Sequence, residues 1–191
     1  MLTLTYRFLL SGMWLAWILY WWVSSKNVKH TVRREPLGSR LMHVIPLTIA
    51  ALLLLPVPTP STFMHQRLIP WAPWQFWLAC MMTAAGLLFS VWARVHLGRN
   101  WSALVTIKED HELITTGPYA MVRHPIYTGL LFAFIGCAFA RADLRGLAGV
   151  AIAFAAIWRK LRFEERWMAE RFGERYADYA RRVPALVPFW R

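Results

Sequence analysis

The chain has 191 residues, 58% of them hydrophobic and 17% charged, with a positive mean hydropathy of +0.36. Soluble domains carry about a quarter charged residues, so this composition argues against a water-soluble globule and for one integral membrane domain. The formal net charge of +12 does not point to nucleic acid, because the basic residues fall between apolar runs rather than along one soluble face; membrane lipids with anionic headgroups are the expected partner.

Phe8 to Val23 has no charged residue, is rich in Trp and Leu, and with its flanks reaches the ~20 residues that cross a bilayer. Arg7 precedes it, but no small-residue cleavage site follows, which favours a retained helix over a signal peptide. Residues 24–40 then bring in Lys26, Lys29, Arg33, Arg34 and Arg40. Leu41 to Val57 is the second expected span, closed by Pro56, Pro58 and Pro60, which cannot continue a helix from within. Pro73 to Ala93 is the third, and residues 94–123 form the longest polar stretch. Pro125 to Ala140 and Gly146 to Trp158 are the fourth and fifth apolar runs, joined by a short connection from Arg141 to Arg145. The fifth run is short for a full crossing. Helices four and five are therefore expected as a tightly paired hairpin, with Arg141 and Arg145 snorkelling to one interface.

In the tail, Phe163, Trp167, Met168, Phe172, Tyr176, Tyr179 and Val183 recur at three- and four-residue steps. This predicts an amphipathic C-terminal helix that extends helix five and folds back along the membrane surface. The competing reading is a surface helix with no catalytic part. The fold class expected is all-α integral membrane with about five transmembrane helices. Of the 22 Lys and Arg residues, only Arg7, Arg67, Arg141 and Arg145 fall on one side, leaving 18 on the other. The positive-inside rule makes that side cytoplasmic, with the N-terminus outside and the C-terminus inside. Nine of the ten acidic residues share it, so the chemistry is expected there too.

The densest cluster of polar and special residues is Gly117-Pro-Tyr-Ala-Met-Val-Arg-His-Pro-Ile-Tyr-Thr-Gly129. Pro125 favours a helix start, which puts Arg123 and His124 at the cytoplasmic mouth of helix four. Free N–H groups there suit a carboxylate; plain interface anchoring explains an Arg and a His equally well. The second cluster is Glu164-Glu165. Neighbours on a helix point about 100° apart, so the two carboxylates are not expected to act as an acid/base pair. Cys80 and Cys137 lie inside apolar runs and read as small core residues. There is no P-loop, no dinucleotide fingerprint, no HExxH and no serine elbow. The six histidines show no close ligand spacing, so no bound metal is expected.

His111-Glu-Leu-Ile-Thr-Thr-Gly-Pro-Tyr119, Arg123-His-Pro-Ile-Tyr127, Glu164-Glu165 and Phe172-Gly-Glu-Arg-Tyr176-Ala-Asp-Tyr179 together closely resemble the isoprenylcysteine carboxyl methyltransferase family. The likeness also takes in Leu97-Gly-Arg-Asn-Trp-Ser102 and the ending Arg182-Val-Pro-Ala-Leu-Val-Pro-Phe189. It covers about half the chain; residues 1–96 match only as generic membrane helices. The resemblance implies a scaffold over 1–96 and a methyltransferase core over 97–191.

The resemblance further implies S-adenosylmethionine as cofactor, in a cytoplasmic pocket between helices four and five and the segment before them. The implied cofactor contacts are His111, Glu112, Leu113, Ile114, Tyr119, His124, Pro125, Ile126, Tyr127 and Glu164. Glu164 suits the cofactor's amino group, His124 and the helix start its carboxylate, and Tyr119 and Tyr127 offer π faces. The family's arginine for holding a substrate carboxylate corresponds here to Lys160, which lacks the bidentate fork; Arg159 and Arg123 are the other candidate cations. The acceptor implied is a lipophilic carboxylate of isoprenylcysteine type entering from the bilayer of a prokaryotic inner membrane. Phospholipid amines or thiols are alternatives, with His124 or Glu165 to remove a proton. A sterol-type membrane reductase using NADPH shares RHPxY-like ends and is the reading from another enzyme class. A non-enzymatic membrane scaffold is the third, and it leaves the paired clusters unexplained.

Overall fold

A computed structural model of the chain describes residues 2–26, 31–54, 64, 66–101, 106–108 and 112–188. It contains α1 (Leu2–Ser24), β1 (Thr31–Arg34), α2 (Leu37–Leu54), α3 (Pro73–Leu97), β2 (Thr106–Lys108), α4 (Pro125–Arg141), α5 (Leu144–Phe172) and α6 (Glu174–Arg182). Among the described residues, α2 and α3 are each long and apolar enough to cross a membrane, while Phe8–Ser24 and α4 are shorter apolar helices. The expected turn at Pro56, Pro58 and Pro60 lies outside the described residues.

One departure from the all-helical expectation is a small antiparallel ribbon. Thr31 stands opposite Lys108 and Arg34 opposite Thr106, with an irregularity between Thr31 and Arg33. It ties the chain after α1 to the segment that leads into the site. Strands of three and four residues have too few positions for alternation to register in the sequence.

The fifth helix extends into the tail, as the spacing from Phe163 predicts. It runs unbroken for 29 residues, about 44 Å at 1.5 Å per residue, although its apolar run ends near Trp158. Beyond Trp158 the sequence is Arg, Lys, Leu, Glu, Met and Ala with few exceptions, all strong helix formers, so the helix continues after hydrophobicity stops. Asp143 caps the start by accepting from Gly146 N at 2.8 Å. Gly173 ends the helix at φ +54°, a left-handed conformation that favours glycine. Helix α6 then turns back, with Tyr176 and Tyr179 buried.

Helices α4 and α5 pair closely at their hairpin, where a Cβ on Gly146 would meet Ala138 Cα at 3.0 Å. Helix α4 packs most extensively on α3, and α5 on α2. Small residues make the α3–α4 crossing close: a Cβ on Gly86 would run into Gly129 O, and one on Gly129 into Gly86 O. A Cβ on Gly136 would meet Thr83 Oγ1 at 2.6 Å. On α5, a Cβ at Gly149 would meet Leu54 Cγ at 2.9 Å, so α2 seats directly on its backbone. Snorkelling fails for one arginine. Arg145 is buried and donates to Leu52 O on α2 at 3.1 Å, while Arg141 pairs with Asp143 at 2.7 Å.

Helix α1 joins the bundle through indoles. Trp14 stacks on Phe134 at 5.0 Å and donates to Cys137 Sγ at 3.2 Å, and Trp17 donates to Ser90 Oγ at 2.8 Å. At the opposite end from the site, Arg67 donates to Gln75 Oε1 at 2.9 Å and Gln75 to Phe139 O at 2.6 Å. These bonds pin the start of α3 to the end of α4.

Candidate active site

The site is assembled where α1 and α3 end and α4 begins. Arg94, on the last turn of α3, donates to Gly98 O at 2.8 Å and to Ser24 O at 2.6 Å, and its guanidinium lies 4.5 Å from the Trp101 ring centroid. One side chain thus fixes the turn after α3 to the end of α1. The next fixed point is Gly117, at φ +59°, where a Cβ would meet the His96 ring at 2.7 Å. This close approach sets Tyr119 into the interior. Burial pushes the Tyr119 phenol well above its ordinary range. Tyr179 of α6 donates to Tyr119 O at 2.6 Å.

The start of α4 is held by the C-terminal segment. Arg123 N donates to Pro184 O at 2.8 Å, His124 N to Ala185 O at 3.0 Å, and Thr128 Oγ1 to Leu186 O at 2.7 Å. Donors expected to be free for a ligand carboxylate are therefore partly taken by the chain's own tail.

Arg123 is the junction of three segments. Its Nε and Nη2 donate to Glu165 Oε1 at 2.9 and 2.5 Å, and its Nη1 to Ala180 O and Val183 O at 3.0 and 2.7 Å. Burial opposes the charge on Glu165. Hydrogen bonds from His124 and Arg123 more than offset that and hold its pKa down to about 2.

Glu164 points elsewhere, as neighbours on a helix must. Tyr127 Oη donates to Glu164 Oε1 at 2.5 Å, His124 Nδ1 lies 3.6 Å from Glu164 Oε2, and the His124 and Tyr127 rings stack at 5.6 Å. This carboxylate faces a cavity of about 290 Å³, at the small end of the range for ligand pockets.

The structure brings Glu112, Leu113, Ile114, Tyr119, Arg123, His124, Pro125, Ile126, Tyr127, Lys160 and Glu164 to the wall of this one cavity. Lys160 Nζ stands 5.4 Å from the Tyr127 ring centroid. Three sequence candidates are not brought there. His111 lies outside the described residues. Glu165 sits behind the wall, bound to Arg123. Arg159 faces α2, donating to Ser39 O at 3.1 Å, because on α5 it is turned about 100° from Lys160.

Sequence reasoning missed Trp17, Trp21, Asn100, Trp101, Trp167, Met168, Arg171, Tyr176 and Tyr179, which also line the cavity. Trp17 and Trp21, stacked at 4.3 Å, carry α1 into the site and so correct its assignment as scaffold. Their i,i+4 spacing was a usable signal, hidden by the many interface tryptophans around them. Asn100 donates to Glu112 Oε2 at 3.5 Å, and its buried Oδ1 has no hydrogen-bond partner. Among the described residues, no group of three or more His, Cys, Asp or Glu gathers at metal-ligand spacing.

The sequence model of the family described as phospholipid methyltransferase matches residues 74–175, 102 of the 191 residues. The cobalt-zinc-cadmium resistance protein CzcN of Cupriavidus metallidurans is 36% identical over 114 residues, 59% of this chain and 51% of that protein. Protein-S-isoprenylcysteine O-methyltransferase B of Arabidopsis thaliana is 35% identical over 115 residues, 56% of each chain. The Rattus norvegicus protein-S-isoprenylcysteine O-methyltransferase is 34% identical over 121 residues, 56% of this chain and 42% of that one. A solved structure of the eukaryotic intramembrane Ras methyltransferase ICMT has 25% identity and a TM-score of 0.49, covering 79% of this chain and 51% of that chain. The chain spans about half the length of the curated relatives it matches. The family match contains α3 from Trp74 onward, α4, the whole of α5 and every acidic residue of the cavity wall. By that match, over more than half its length, the chain belongs to the phospholipid methyltransferase family.

Proposed function

We propose that the chain is an integral-membrane methyltransferase that moves a methyl group from S-adenosylmethionine to a lipophilic acceptor, the carboxylate of an isoprenylcysteine-like molecule. The observation that carries this reading is the Glu164 carboxylate, held by Tyr127 and His124 on the same cavity wall as Lys160. The residues present fit the cofactor. Glu164 and Glu112 are acceptors for its ammonium, and the tyrosine faces of 119 and 127 suit a sulfonium. The orphaned Asn100 Oδ1 is an acceptor for an adenine amino or ribose hydroxyl group. When bound, S-adenosylmethionine supplies an electrophilic methyl group.

The chain's own residues align the reactants and exclude water, which is most of what an in-line displacement needs. Trp17, Trp21 and Leu130 make the cavity's apolar wall, and Lys160 supplies a cation for an ionised acceptor. A carboxylate acceptor is already deprotonated at neutral pH. An amine or thiol needs a base poised near the working pH. Glu165, with a pKa of about 2 and both Arg123 bonds on one oxygen, is poorly suited to that task. This favours the carboxylate acceptor, although the family's own description fits a phospholipid headgroup.

The reading includes five membrane crossings, with the N-terminus outside and the cavity on the cytoplasmic side of a prokaryotic inner membrane. The charge count supports it, as does the exposure of Trp74, Trp77, Met81, Leu88 and Trp92 on α3. Calorimetric titration with S-adenosylhomocysteine, with and without competing NADPH, tests the class. Binding that NADPH does not displace supports the methyltransferase. Binding of NADPH alone supports a reductase and overturns the proposal.

A further inference from the structure

The groups expected to take the cofactor's carboxylate are engaged inside the protein. The backbone N–H groups of Arg123 and His124 donate to Pro184 O and Ala185 O, so the start of α4 gives these donors to the chain's own tail. The His124 ring stands between two carboxylates, with Nδ1 3.6 Å from Glu164 Oε2 and Nε2 3.4 Å from Glu165 Oε1. The Arg123 guanidinium is bound to Glu165, Ala180 O and Val183 O. Among the described residues that line the cavity, the remaining basic ones are Lys160 and Arg171.

Both belong to one stripe of α5. Lys160, Glu164, Trp167, Met168 and Arg171 all line the cavity, at the three- and four-residue steps of a single helix face. Arg171 stands seven residues beyond Glu164, about 10.5 Å along the axis and within about 20° of the same direction. Lys160 stands four residues before Glu164, about 6 Å the other way. Side chains on a helix lean towards its N-terminus. That lean brings Arg171 back over Trp167 and Met168 towards Glu164. It takes Lys160 away from Glu164, towards the apolar run that ends at Trp158, and the Lys160 ammonium lies 5.4 Å from the Tyr127 ring centroid. Arg171 is exposed and has no hydrogen-bond, ion-pair or ring partner among the described residues. A cation in the last turn of a helix gains from the helix dipole, but that gain does not require it to face a cavity.

An α-amino acid carries its ammonium and carboxylate on one carbon, so a ligand whose ammonium meets Glu164 presents its carboxylate immediately beside it. A guanidinium takes a carboxylate through two parallel N–H bonds. We propose that Arg171 binds the carboxylate of the amino-acid end of S-adenosylmethionine while Glu164 binds its ammonium, which leaves Lys160, on the apolar side of Glu164, to the anionic group of the acceptor. The assignment rests on the methyl-transfer reading. Helix α5 thereby presents three charges in line: Lys160 for the acceptor, Glu164 and Arg171 for the two halves of the cofactor's zwitterion.

The test is calorimetric titration of the full-length protein in detergent with two ligands that differ by one carboxylate, S-adenosylhomocysteine and decarboxylated S-adenosylhomocysteine. Arg171→Gln should weaken S-adenosylhomocysteine at least tenfold, the loss of a charge-assisted pair, and leave the decarboxylated ligand within twofold. Glutamine is a strong helix former and the position is exposed, so this variant keeps the fold. Glu164→Gln should weaken both ligands, because both carry the ammonium. Lys160→Gln should leave S-adenosylhomocysteine within threefold. Equal changes for the two ligands in Arg171→Gln, no change for either, or a larger loss of S-adenosylhomocysteine in Lys160→Gln than in Arg171→Gln overturns the assignment and leaves the methyl-transfer reading standing. If the unaltered protein binds neither ligand, the reading and the assignment fall together.

Discussion

Arg123 and Glu165, 42 positions apart, are joined through a single carboxylate oxygen that accepts from both Nε and Nη2 of the guanidinium, at 2.9 and 2.5 Å. The same arginine binds two carbonyls at the end of α6. It therefore ties the start of α4, the C-terminal third of α5 and the C-terminal segment together at the cavity wall.

Arg123→Ala leaves the largely buried Glu165 carboxylate without its main partner. Such losses cost about 2–4 kcal/mol, and the thermal unfolding midpoint should fall accordingly. Arg123→Lys should recover only a minor part, because an ammonium cannot reach Glu165 and two carbonyls in one plane. Full recovery by lysine would show that only the charge matters.

The pH dependence has a definite sign. The folded pKa of Glu165 is lowered from 4.5 to about 2, so its contribution to stability is complete above about 4.5 and is lost as pH falls through about 2. The stability difference between the unaltered protein and Glu165→Gln should shrink across that window and vanish below it. A difference that instead grows on acidification would mean the carboxylate is not held ionised by Arg123 and His124.

Tyr127→Phe removes the 2.5 Å bond that orients Glu164. Affinity for S-adenosylhomocysteine should drop about ten- to a hundredfold, the range of one lost hydrogen bond to a charged group. In a Glu164→Gln background the same change should matter much less. Additive effects in calorimetry would show that the two residues contact the ligand independently.

Gly86→Leu or Gly129→Leu should unfold the α3–α4 crossing, since even a Cβ meets the facing backbone there. Gly12→Leu, on α1 with nothing within 4 Å, is the control and should keep the unfolding midpoint within a few degrees. Equal tolerance at Gly86 and Gly12 would contradict the packing described.

The parts of this molecule legible from sequence were those fixed by local rules. The divergence of Glu164 and Glu165 follows from helix geometry alone, and Tyr176 and Tyr179 fall on the buried face that their spacing predicts. Pro125 marked the start of α4, and Gly173 supplies the break between α5 and α6. What escaped depends on distant partners. Nothing near Arg123 in sequence announces Glu165, Ala180 or Val183, so it read as a candidate substrate cation when its bonds are internal. Trp17 and Trp21 look like interface anchors until α3 and α4 pack behind them. The extension of α5 past Trp158, by contrast, was legible in the three- and four-residue spacing of the tail, because helix propensity continues where hydrophobicity stops.

Methyl transfer takes place, in the reading proposed above, at the cavity walled by Glu164 and Lys160. Its most direct measurement is incubation of the protein in lipid vesicles with methyl-labelled S-adenosylmethionine and N-acetyl-S-farnesylcysteine. A labelled, base-labile methyl ester is the expected product, lost in Glu164→Ala. A protein that binds the cofactor yet labels only lipid amines or thiols, or one whose ester formation survives Glu164→Ala, would contradict it.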